Sequence, residues 1–222
     1  MILYYWIVNL MLLSHIYAPV EDKMKYLALG DSYTIGESVE YIERFPVQLV
    51  NKLKFAGYDF TMPEIIAKTG WTTDELMQGI ADVAPSSNYD LVTLLIGVNN
   101  QYRGRDLDNY RQEFEDLLKQ AIEFAGGNKE HVIVISIPDY GVTPFGQKKG
   151  RKKVGKEIDQ FNAANEEITK EYQIAYVDVT EISRTAYRRT HLVAEDGLHP
   201  SAAMYQKWVE AIAPVAADLL GK

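Results

Sequence analysis

Two short stretches, far apart in the chain, hold residue types that could do chemistry together. Near the front, Gly30-Asp31-Ser32-Tyr33-Thr34 follows the apolar run Lys25-Tyr26-Leu27-Ala28-Leu29 and leads into Ile35-Gly36-Glu37. A serine at the tip of a strand, in a tight turn opening toward a helix, is presented at the carboxyl edge of a sheet, where ligands collect in open α/β folds. The N-terminus of the following helix would point N–H groups at any negative charge formed there. Near the back, Asp196-Gly197-Leu198-His199-Pro200 places a carboxylate three residues before an imidazole. Pro200 suits the first turn of a helix, which sets His199 at or just before its start. Such a turn brings the carboxylate to one ring nitrogen, fixing tautomer and orientation, and leaves the other nitrogen free to take a serine proton. The plainer alternatives are an ordinary Gly-Asp-Ser turn and a surface or capping histidine. The second alternative fits His131 and His191; only His199 has an acid upstream, a glycine between and a proline behind.

The elements needed to position these residues are legible as alternating apolar runs and amphipathic patterns. After the first strand, Phe45, Leu49, Val50, Leu53 and Ala56 recur at helical spacing and stop at Gly57. Residues 64–67 read as a second strand ending at Lys68-Thr69-Gly70-Trp71-Thr72-Thr73, with Thr73 or Asp74 capping the next helix. Residues 90–96 read as a strand buried on both faces, ended by Gly97-Val98-Asn99-Asn100. Leu107, Tyr110, Phe114, Leu117, Leu118, Ala121, Ile122 and Ala125 mark a long helix closed by Gly126-Gly127, and 131–137 reads as a further buried strand. A loop over 138–155, a helix marked by Ile158, Phe161, Ala164, Ile168 and Tyr172, a fifth strand at 174–179 and a last helix over 200–220 complete the chain. Pro214 marks a bend or break in that last helix. The alternation predicts an α/β three-layer sandwich: about five mostly parallel strands with helices on both faces, flavodoxin-like, in one domain.

The chain's 222 residues are enough for such a core. A net charge of −8 argues against nucleic acid as a partner. The absence of cysteine excludes disulfides, thiolate nucleophiles and thiolate metal sites. Residues 1–18 carry no Lys, Arg, Asp or Glu and are mostly apolar, with Asn9, Ser14 and His15 interrupting them. They are short for a spanning helix. We read them as a signal peptide directing secretion or export to a periplasm, although no basic residue precedes the apolar run. The alternative is a cytoplasmic protein whose translation starts at Met24. The domain proper is expected over 24–222, with no stable membrane span.

With four blocks in this order over residues 25–220, the chain resembles the SGNH hydrolases, the serine esterases also called the GDSL family. Gly30-Asp31-Ser32, Gly70, Gly97-Val98-Asn99 and Asp196-Gly197-Leu198-His199-Pro200 carry the likeness. The resemblance implies a Ser-His-Asp triad of Ser32, His199 and Asp196 working through an acyl-enzyme. It also implies an oxyanion hole from the N–H groups of Ser32 and Gly70 and the side-chain amide of Asn99. No cofactor is implied. Because the base must be neutral, activity is expected to fall below about pH 6–7, the usual histidine range.

Two positions depart from the pattern: Tyr33 stands where the family name has leucine, and Asn100 where many members carry aspartate. Other motifs fail. Thr34 stands where the Gly-x-Ser-x-Gly hydrolase turn needs glycine; there is no P-loop; and no metal-ligand spacing occurs. Lys148, Lys149, Arg151, Lys152, Lys153 and Lys156 put six basic residues into nine positions. They read as a solvated mobile loop or, alternatively, as a lid or attractor for an anionic substrate. Trp71, Tyr102, Tyr140 and Phe145 fall in turns expected to face the cleft. The substrate expected is a small-molecule ester, a small acyl ester or acetylated carbohydrate being favoured. A lysophospholipase, a thioesterase and a non-catalytic binding module on the same fold are the alternatives.

Overall fold

The computed structural model describes residues 23–221, so the expectations for residues 1–18 and for a start at Met24 as the route to the cytoplasm lie outside what it tests. Five strands, β1 (Tyr26–Gly30), β2 (Glu64–Ala67), β3 (Leu91–Leu95), β4 (Val132–Ile135) and β5 (Ala175–Val177), form one sheet in the order β2-β1-β3-β4-β5. Every pairing is parallel. The three inner strands are buried along their whole length. Helices cover both their faces, which is why they read as unbroken apolar runs. Thr93, the polar exception in β3, shares a 2.8 Å hydrogen bond with the buried Tyr26 hydroxyl. The edge strands are short and partly exposed.

The helices are α1 (Ser32–Ile35), α2 (Phe45–Phe55), α3 (Thr73–Val83), α4 (Val98–Tyr102), α5 (Leu107–Phe124), α6 (Pro144–Gln147), α7 (Arg151–Glu171), α8 (Thr180–Arg184) and α9 (Ala202–Leu220). α2 packs against α9, while α5 packs between α3 and α7. The strand order reverses at β1, which lies between β2 and β3 with Gly30 opposite both Ala67 and Leu95. The turns after all three strands therefore open onto one carboxyl-edge crevice, the place where open α/β sheets bind ligands.

Four local expectations need correction. Thr72, not Thr73 or Asp74, caps α3 in a reciprocal box with Glu75. The stretch 138–155 is not one loop: it holds a 3₁₀ turn at Tyr140–Val142, α6 and the first turn of α7. Lys and Arg are good helix formers, and Val154 extends the apolar stripe of Ile158 and Phe161 one turn earlier. The fifth strand is shorter than 174–179: it spans Ala175–Val177, and Val179 already has helical backbone as the cap of α8. Pro200 does not open the last helix; it bridges to Val193, Ser201 is the cap, and the helix runs through Pro214 without a break. Among the described residues, no helix is long and apolar enough to cross a membrane.

Candidate active site

Ser32 opens α1, a single turn held tightly at both ends. A Cβ on Gly30 would stand 2.1 Å from Thr34 Oγ1 and 2.4 Å from the Leu95 carbonyl, so only glycine lets the chain turn this closely against β3. Asp31 caps the turn. Its Oδ1 accepts the Tyr33 N–H at 3.0 Å, and its carbonyl accepts the N–H groups of Thr34 and Ile35. The N–H of Ser32 is not among the amides that Asp31 takes. Behind the turn, the fully buried Tyr205 of α9 donates its hydroxyl to the Tyr33 carbonyl at 3.0 Å.

Asp31 itself is fully buried, and its Oδ2 has no partner among the described residues. Burial pushes its carboxyl up to about 7, against the lowering effect of the Tyr33 N–H and its own.

His199 is nearly buried, with Nδ1 2.5 Å from Asp196 Oδ2. Asp196 is shaped as an acceptor. Oδ1 takes the N–H groups of Leu198 and His199 at 2.9 and 3.0 Å, and Oδ2 takes the Ser38 hydroxyl at 2.9 Å as well as the ring. Partial burial pushes this carboxyl up, but the His199 ring, the two backbone N–H groups and Ser38 outweigh it and hold the pKa at about 2. With Asp196 ionised near neutral pH, a carboxylate acceptor at Nδ1 favours the ring proton there and leaves Nε2 free. Tyr33 stacks edge-on against the His199 ring at 5.8 Å and against Trp208 at 6.1 Å. The residue that replaces the family's leucine thus braces the imidazole.

Asn99 is the second residue of α4. Its Nδ2 donates one hydrogen to the Trp71 carbonyl at 2.9 Å, fixing the amide and leaving its second N–H for a ligand. Gly97, which caps α4, has φ +128, and a Cβ there would press on the Tyr110 ring and Ile137. The neighbouring Asn100 is fully buried. It accepts the Thr73 N–H at 3.1 Å and donates to Thr73 Oγ1 at 2.6 Å; Thr73 in turn donates to Glu113. An amide suits this chain better than a carboxylate, since it gives one hydrogen bond and takes another.

Ser32, Asn99 and His199 line one hollow of about 190 Å³, together with Tyr33, Val98, Tyr102, Tyr140, Phe145 and Leu198. Gly70 stands in the turn after β2 with φ +88, its carbonyl bonded by Arg103 Nη2 at 2.6 Å, and is not among the lining residues. Three of the four aromatics expected at the cleft line it. Trp71 does not; its ring lies over Gly79 of α3, where a Cβ would stand 2.1 Å away. Sequence reasoning missed Ser38, Tyr205 and the bracing role of Tyr33. Their partners are distant in sequence, and no periodicity signals them. Among the described residues, no group of three His, Asp or Glu side chains is placed to hold a metal ion.

The model of the GDSL-like lipase/acylhydrolase family matches residues 28–207, and the chain belongs to that family: it is an SGNH/GDSL-type carboxylic ester hydrolase. Solved structures share its fold at low identity. A psychrotrophic esterase EstA from Pseudoalteromonas sp. is 14% identical with a TM-score of 0.66, over 89% of this chain and 99% of its own. A lipase/acylhydrolase from Enterococcus faecalis is 21% identical with a TM-score of 0.66, over 89% and 96%. An acetylxylan esterase from Geobacillus stearothermophilus is 19% identical with a TM-score of 0.63, over 89% and 94%. No curated protein sequence matches the chain.

Proposed function

We propose that the chain hydrolyses small carboxylic esters through a Ser32–His199–Asp196 triad and an acyl-enzyme. The observation that carries this reading is His199 backed by the ionised Asp196 in the wall of the hollow that Ser32 and Asn99 also line. Ser32 Oγ attacks the ester carbonyl while His199 Nε2 takes its proton. His199 then gives that proton to the leaving alcohol as the C–O bond breaks. Water attacks the acyl-enzyme by the same route in reverse, restoring Ser32 and releasing the acid. The oxyanion is held by the N–H groups of Ser32 and Gly70 and by the free N–H of Asn99.

A hollow of about 190 Å³ is smaller than the ~300–1,000 Å³ of sites for drug-sized ligands, which supports a short acyl group or an acetylated sugar. The fold shared with an acetylxylan esterase points the same way. Asn99→Ala is expected to lower kcat by about 10²–10³-fold on nitrophenyl acetate. An unchanged kcat would remove Asn99 from the mechanism. A panel of nitrophenyl esters of increasing chain length, acetylated sugars, a lysophospholipid and a thioester tests the substrate class. Ser32→Ala must abolish turnover throughout, and the shortest esters and acetylated sugars are expected to give the highest kcat/KM.

A further inference from the structure

The basic run at 148–156 is divided by the fold. Arg151, Lys152, Lys153 and Lys156 lie on α7, while Lys148 and Lys149 stand in the turn before it. Lys149 alone is aimed at the wall of the hollow. Its Nζ lies 5.4 Å from the Tyr102 ring centre and 5.7 Å from that of Phe145. These rings pack on Tyr140 as a three-ring wall, with centres 6.2–6.5 Å apart. One side of the wall faces Ser32 and His199; Tyr102 and Tyr140 also border a second hollow lined by Gln101, Lys149, Lys153 and Glu157.

The charges facing that second hollow are Lys149, Lys153 and Glu157. Glu157 already accepts from Gln101 at 2.7 Å and stands 3.8 Å from Lys153 Nζ. Among the described residues, no carboxylate lies within ion-pair distance of Lys149. Its contact with two ring faces favours this position of the exposed ammonium without consuming its N–H donors. The Lys149 N–H bonds the Gly146 carbonyl at 2.9 Å, which fixes the turn beneath it. On a chain of net charge −8 this is a local attractor beside the Ser32 hollow, whose lining among the described residues holds no Lys, Arg, Asp or Glu.

We infer that Lys149 selects esters that carry a negative charge beyond the aromatic wall, the ester lying at Ser32 and the anion reaching the ammonium across Tyr102 and Phe145. The inference rests on the hydrolase reading above. A carboxylate on the acyl side and a phosphate on the alcohol side share the required chemistry, and paired substrates distinguish them. Monoethyl adipate is compared with ethyl hexanoate, and 1-acetylglycerol 3-phosphate with 1-acetylglycerol, in a pH-stat at low ionic strength.

The wild-type protein is expected to favour the charged member of at least one pair. In Lys149→Met, that pair's ratio of charged to neutral kcat/KM is expected to fall about fivefold, the upper range for a partly exposed charge pair. Raising the salt to about 0.5 M should erase the same preference in the wild type. Lys152→Met, altering a lysine that borders a different hollow with Arg184, is expected to leave both ratios as they are. The inference is overturned if neither ratio moves in Lys149→Met, or if Lys152→Met moves them equally. Failure of the hydrolase reading looks different: the neutral esters themselves would not be turned over.

Discussion

Ser38 joins the two ends of the site. Its hydroxyl donates to the same Asp196 oxygen that orients His199, and it does so from a left-handed backbone of φ +65. A non-glycine residue in that region costs on the order of 1–3 kcal/mol, and such strain collects at functional sites. Ser38→Ala removes a donor that spreads the carboxylate's charge, leaving that charge to favour the protonated imidazole more. The acid limb of the kcat/KM profile is then expected to move to higher pH, with kcat down by about tenfold or less. Ser38→Gly relieves the backbone but also loses the hydroxyl, so it should move the limb equally. A limb displaced in Ser38→Ala and normal in Ser38→Gly would mean that only the backbone matters. The sequence could not announce this contact, because the two residues stand 158 positions apart. The pairing of Asp196 with His199, three residues apart in one turn, was legible for the opposite reason.

At the scale of elements, the crevice is held together by amides that tie one turn to the next. Asn99 joins the turn after β3 to the turn after β2, and Asn100 locks the start of α3 through Thr73. Asn100→Ala leaves the buried Thr73 N–H without its acceptor and takes away the donor to the Thr73 hydroxyl, which keeps only its bond to Glu113. It is expected to cost about 1–3 kcal/mol in urea unfolding and to lower kcat by loosening Asn99; a variant as stable as the wild type would show that the lock carries no weight. The inner strands were readable because burial on both faces demands β-branched and aliphatic residues at successive positions, as in Val132, Ile133, Val134 and Ile135. The start of α7 was not, because its first turn is Arg151, Lys152 and Lys153, which carries helix propensity but no apolar period. Its cue was Val154, four residues before Ile158 on the same buried stripe.

Across the whole molecule, the turn that presents Ser32 exacts a cost in stability through Asp31. An unfolded aspartate titrates near ~3.9, whereas burial raises this one to about 7. Between those values the folded chain keeps a proton that the unfolded chain has lost, so stability falls as pH rises from about 4 to about 7 and is level beyond; the gap is worth up to about 4 kcal/mol. Asp31→Asn keeps an acceptor for the Tyr33 N–H and never ionises. The melting temperature of the variant relative to the wild type is therefore expected to climb across that window, and a constant difference would show that Asp31 does not titrate there. The fold and the four motif blocks could be read together because all the blocks but the last lie at or just past a strand's carboxyl end, and parallel strands share that edge. The proposed reaction turns on one hydroxyl near the front of the chain being activated by an imidazole near its back. Labelling with a fluorophosphonate, followed by mass mapping of the adduct in the wild type and in His199→Ala, reads out both partners at once. A single adduct on Ser32 is expected, forming at least about 10³-fold more slowly in His199→Ala; an adduct on another residue, or equal labelling rates in the two proteins, would rule the pairing out.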